Sequence, residues 1–104
     1  MKIKQDEVIR GTGNVFRDLG YKNADVMQFK ATLAAEIIKV LDREKLTVRA
    51  AHAKTGFAAA DFSRIRNADL GRFTVDRLMS IVNALGSRVE VKIKVIRVVH
   101  AIAA

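Results

Sequence analysis

The chain has no cysteine, which excludes disulfides, thiolate nucleophiles and zinc–cysteine sites and suits a reducing cytosol. It has no proline, so no proline-rich linker separates two domains, and its 104 residues are expected to form one. That length lies near the lower end of comfortable domain size but still allows a real core. Histidine is scarce: His52 and His100 lie far apart, and neither has a ligand-type residue four positions on. Ser63 has no histidine near it in sequence. Metal binding, acid–base work and nucleophilic catalysis therefore lack a constellation, and neither an enzyme nor a cofactor is expected. Aromatics amount to five Phe and one Tyr, mostly at core-like positions, which disfavours the stacking platforms of sequence-reading RNA modules. Long apolar runs are missing. The opening MKIKQDEVIR has no signal-peptide core, and the apolar tail is broken by Arg97 and His100 and is too short to span a bilayer. A soluble, cytoplasmic protein with no membrane partner is expected.

What is present is hydrophobic residues, at 50%, and positive charge. The first argues against intrinsic disorder. The formal net charge is +8, and it is unevenly spread. Residues 1–44 carry eight Lys/Arg against seven Asp/Glu, whereas residues 45–104 carry eleven against four, a net of +7. Solubility alone asks for less. An excess confined to one part of a small domain marks an anionic partner, of which nucleic acid is the commonest.

Residues 1–23 are read as an N-terminal arm. Gly11, Gly13, Asn14 and Gly20 punctuate it, and Val15, Phe16 and Leu19 form an apolar anchor. Gly11-x-Gly13 lacks the third glycine and the preceding buried strand of a phosphate cradle, so a turn is the better reading. From Asp25 to about Glu44, Val26, Phe29, Leu33, Ile37 and Leu41 recur every three or four positions, one face of a helix of about five turns. Thr47 is a candidate N-cap for a short helix through about Thr55, and Gly56 permits the positive φ of a tight helix-ending turn. A third helix is expected over about Ala58–Asn67 with Phe62 and Ile65 inward. Thr74 caps a fourth through Leu85, with Val75, Leu78, Met79 and Val82 inward, and Gly86 ends it.

The period then changes. In RVEVKIKV, Val89, Val91, Ile93 and Val95 share one face and Glu90, Lys92 and Lys94 the other, the alternation of a half-buried strand. With no second strong strand in the chain, that strand is an open edge. Pairing with the same strand of a second copy would close it. The expected organisation is therefore mainly α: an arm over 1–23, a helical domain of four to five helices over 24–86, and a dimerising strand and tail over 87–104.

Four helices with a glycine turn between the short second and third are the skeleton of a repressor-like helix-turn-helix reader of double-stranded DNA. The segment KTGFAAADFSRIRNA would supply the helix that enters the major groove. Ala58, Ala59 and Ala60 allow close approach and apolar contact with thymine methyls. Ser63 can exchange a hydrogen bond, and Arg64 can reach a guanine edge or a phosphate. Arg66, Asn67 and Arg72 lie where the phosphate backbone would run. The competing reading of the same pattern is a plain alanine-rich helix with solvated arginines.

Residues 46–86, with TG at the turn, DFSRIRN in the third helix and RFTVDRL opening the next, resemble the Cro/repressor-type (XRE) helix-turn-helix family. The upstream GNVFRDLG followed by a long helix is similar to its HigA-type antitoxin branch. The resemblance implies base-reading positions at Ala59, Ala60, Ser63 and Arg64. It also implies phosphate contacts at Thr47, Arg49, Arg66, Asn67 and Arg72, those at Asn67 through amide and side chain. Further implications are a homodimer on a palindromic operator and a small basic toxin of the RelE/HigB type as partner, with Val15, Phe16 and Leu19 as its contact. The chain departs from the family pattern in places. Val48 and Ala59 stand where many members carry glutamine, so a contact at Val48 passes to Arg49 and readout through Ala59 can only be apolar. His52 falls where a small residue is usual, and Asp61 favours a helix N-terminus but sits awkwardly beside phosphates.

Two alternatives remain at this stage. The chain could be a solitary regulator without a toxin. It could also be a protein-interaction module that binds a toxin through its N-terminal segment and C-terminal strand and has only non-specific affinity for DNA.

Overall fold

A computed structural model of the chain describes residues 23–97. The expected arm residues Val15, Phe16 and Leu19, the Gly11-x-Gly13 turn and the tail beyond Arg97 lie outside the described residues. Four helices follow one another: α1 (Ala24–Arg43), α2 (Val48–Thr55), α3 (Ala59–Arg66) and α4 (Val75–Ala84). The long α1 packs chiefly on α4, while the short α2 packs on α3.

Burial follows the expected helical faces with some shifts. Leu33, Ala34, Ile37, Val40 and Leu41 bury one side of α1. Phe29 packs partly against them, whereas Val26 is 46% exposed rather than inward. The α4 face is centred on Leu78, Ile81 and Val82, with Val75 and Met79 half-buried at its margin. Phe73, in the α3–α4 connection, joins Phe62 and Ile65 of α3 at the centre of the core. Truncating Phe62 to alanine there should cost about 3–5 kcal/mol, a large share of what a small domain has.

Local chemistry sets the helix boundaries. The Thr47 hydroxyl accepts the Ala50 N–H at 3.0 Å and the Thr74 hydroxyl accepts the Arg77 N–H at 3.1 Å, as their positions predict. Gly56, at φ 84°, ends α2 with its N–H on the His52 carbonyl at 2.7 Å. Ala58 is the N-cap of α3 and not its first residue, and it has no side chain with which to cap.

The other three helices end in the same way, with a left-handed residue followed by an N–H that reaches back five positions. Leu46 donates to the Leu41 carbonyl, Asp69 to Arg64 and Ser87 to Val82. The left-handed residue is Gly86 after α4, but Lys45 after α1 and Ala68 after α3.

The expected strand over 88–95 is not formed in the single chain. Residues 87–97 adopt neither helix nor strand. Val89 rests on the core, while Val91, Ile93 and Val95 are exposed. A strand exists through its ladder, and the described residues supply no second strand to build one with.

Candidate nucleic-acid interface

The α2–α3 turn is held by side chains as well as by its glycine. The Thr55 hydroxyl donates to the Ala51 carbonyl at 2.8 Å and accepts the Phe57 N–H at 3.1 Å. The His52 ring lies 2.9 Å through Nδ1 from the Phe57 carbonyl. A carbonyl can only accept, so Nδ1 is the donor in this contact. The bulky residue at this place in α2 therefore acts as a pin across the turn.

Within α3, Phe62 and Ile65 are buried together with Asp61. The opposite side is a ridge of Ala60, Ser63 and Asn67, spaced i, i+3, i+7 and all exposed. Its slim side chains leave backbone close to the surface. Ala59 and Arg66 flank the ridge on one side and Arg64 on the other. The base-reading residues expected from sequence thus share one face, but they are not equivalent: Ala60 and Ser63 lie on the crest, Ala59 and Arg64 at half-buried edges.

Arg64 is restrained. Its guanidinium donates to one carboxylate oxygen of Asp61 at 2.9 Å, and Arg77 of α4 donates to the other at 2.9 Å. Arg77 also lies 5.0 Å from the centroid of the Phe57 ring, a cation–π contact. Asp61 therefore sits inside the domain between two arginines, away from the position beside phosphates that its sequence context suggests. No buried side-chain polar atom lacks a hydrogen-bond partner among the described residues.

The expected phosphate contacts fall into two groups. Arg49 on the first turn of α2 and Arg72 on the α3–α4 connection are exposed, with no ion pair among the described residues. Arg66 is instead bonded to Asp42 at the end of α1, at 2.9 Å. Asn67 is the C-cap of α3, and its backbone N–H is taken by the Ser63 and Arg64 carbonyls, so only its side chain remains to contact a ligand. Thr47 uses its oxygen as a cap acceptor and keeps its hydroxyl proton as a donor.

Nearby, Lys54 at the end of α2 hydrogen-bonds Glu44 at 2.8 Å. That hydrogen bond first, and then the charges of Lys54 and Arg43, hold the Glu44 carboxyl below its ordinary value, against desolvation, which opposes them and ranks second to the hydrogen bond.

Arg77 and Phe57 were not among the residues expected from sequence. The Asp61–Arg64 spacing of i, i+3 is the signal that could have found the pair. Nothing local announces Arg77. No group of three or more His, Asp or Glu among the described residues is arranged to hold a metal ion. No helix among them is long and apolar enough to cross a membrane.

A family model described as a helix-turn-helix domain matches residues 15–94 of the chain. No curated protein and no solved structure matches it.

Proposed function

The chain belongs to the helix-turn-helix domain family, and from that premise we propose that it is a homodimeric transcriptional regulator that binds a palindromic operator. The observation that carries this reading is the outer face of α3: a crest of Ala60, Ser63 and Asn67, with the cations Arg49 and Arg72 on the neighbouring elements. A slim crest lets the helix enter the major groove, and the surrounding cations hold the backbone. Ala59, Ala60, Ser63 and Arg64 read bases; Thr47, Arg49, Arg66, Asn67 and Arg72 contact phosphates. Residues 1–23 act as an arm, 24–86 as the DNA-binding domain and 87–104 as the dimerisation tail. In the dimer two α3 helices lie about 34 Å apart, one turn of DNA.

Pairing through Val89, Val91, Ile93 and Val95 is supported by the exposure of the last three, at 44%, 82% and 88%, which water alone does not favour. The similarity of GNVFRDLG and the following helix to HigA-type antitoxins supports an autorepressing antitoxin, silencing a RelE/HigB-type toxin through Val15, Phe16 and Leu19. Deletion of residues 1–22 should abolish capture of that toxin. Retained capture would remove the arm from this role.

The experiment that tests the main reading is a salt titration of affinity for the DNA upstream of the coding sequence beside a scrambled duplex of equal length. Tight binding to the first and much weaker binding to the second is expected. Equal, steeply salt-dependent binding to both would reduce the basic face to counterion release and favour the interaction-module reading.

A further inference from the structure

Asp61 is the one buried charged residue among the described residues, at 8% exposure. Burial of a carboxylate is costly unless every strong acceptor site is matched, and here each oxygen has its own guanidinium at 2.9 Å. One negative charge thus serves two positive ones. Each arginine has five N–H donors, so pairing with Asp61 leaves donors on both. The side chains keep 31% exposure at Arg64 and 47% at Arg77, enough for those donors to meet a ligand.

The two arginines come from different elements, α3 and the first turn of α4. Arg77 is further fixed by the Phe57 ring, whose own carbonyl is pinned by His52. Arg64, Asp61, Arg77 and Phe57 therefore form one continuous assembly that joins α2, the turn, α3 and α4.

We propose that Asp61 is the positioning residue that gives this protein its sequence discrimination, by presetting Arg64 and Arg77 as a pair aimed at one base edge and its neighbouring phosphate. The inference rests on the DNA-binding reading above. Its physics has two parts. A preset guanidinium offers its planar donors in one geometry, so it rewards the base that matches and fails the others. From inside the domain the carboxylate also cancels one positive charge of the arginine pair, which weakens binding to every sequence alike. The charge effect leaves the ratio between specific and non-specific affinity unchanged; presetting offsets it on the matching sequence alone, and it is presetting that raises the ratio.

The test uses the full chain and the duplex that the wild-type protein selects from a random-sequence pool, with a scrambled duplex as reference. Asp61→Asn keeps the shape but removes the charge. Its affinity for the scrambled duplex should rise several-fold, with the log–log salt slope steeper by about 1. Its affinity for the selected duplex should fall or stay level, so that the ratio of the two drops at least several-fold. Equal factors on both duplexes, with the ratio intact, would overturn the proposal and leave Asp61 a purely structural pair. Arg77→Lys serves if the first variant does not fold. It retains the charge and loses the fork, so the ratio should fall at an unchanged salt slope, and an unchanged ratio would equally overturn the proposal. If the wild-type protein selects no duplex at all, the DNA-reading function itself has failed, an outcome distinct from either variant result.

Discussion

Arg66, on the last turn of α3, hydrogen-bonds Asp42, near the end of α1, at 2.9 Å. The pair connects the helix that would enter the groove to the longest helix of the domain, across 24 residues of sequence. Both partners face solvent, so the bond fixes geometry more than it stabilises the fold.

Arg66→Ala is accordingly expected to lower stability by no more than about 1 kcal/mol. On binding the two partners should act oppositely: Arg66→Ala should lower affinity for any duplex with a shallower salt dependence, whereas Asp42→Ala releases Arg66 and should raise it with a steeper one. Fluorescence anisotropy against salt concentration measures both. An unchanged slope in both variants would place Arg66 outside the interface.

The left-handed helix ends make a second prediction. Ala68 sits at φ 57° after α3, where a Cβ is strained and glycine is not. Ala68→Gly should raise stability by about 0.5–1 kcal/mol, the relief of strain exceeding the added chain entropy of the unfolded state. Gly56→Ala should lower it by about 1–2 kcal/mol. A Cβ at Gly56 would meet nothing within 4 Å, so the whole cost lies in its φ of 84°. Calorimetry should show melting temperatures moving in opposite directions, and a shift of the same sign in both would contradict the assignment.

Glu44 supplies a pH prediction. Its carboxyl pKa is lowered in the folded chain from an ordinary 4.5, first by the hydrogen bond from Lys54. A lowered folded pKa means that the contribution is present above the unfolded value and is lost as pH falls through the folded one. Lys54→Met should return the Glu44 titration towards 4.5 and flatten the acid limb of stability. Carboxyl-carbon NMR follows the group directly, and an identical midpoint in the two proteins would refute the cause given.

The C-terminal segment can be tested by mass. Ile93 and Val95 are 82% and 88% exposed in the single chain, and a paired strand would cover them. Val91→Pro deletes a ladder donor and should convert a dimer to a monomer in sedimentation at equal concentration. A variant that still sediments as a dimer would remove this segment from the interface.

Much of the fold could be read from short-range pattern. Thr47, Gly56 and Thr74 mark helix boundaries because a cap involves only the residue itself and the next three or four. The ends at Lys45 and Ala68 were less legible, because neither is the glycine that such a turn favours. The chain accepts the strain there because the reverse hydrogen bonds close and Leu46 and Leu70 pack on the core. Val26 continued the periodic stripe of α1 in sequence, yet it is half-exposed in the fold.

The sequence alone determined the helices, their order, the buried face of α3 and the excess of positive charge, since each depends on composition or on neighbours within a turn. Tertiary structure decided which charges are available. Asp61 joins Arg77 across 16 residues, Glu44 joins Lys54 across 10 and Asp42 joins Arg66 across 24. Those separations have no periodic signature, because they are set by how α1, α2, α3 and α4 pack. Arg64, expected from sequence to reach a guanine edge or a phosphate, is therefore held in place by a buried carboxylate, while Arg49 and Arg72 keep no partner among the described residues.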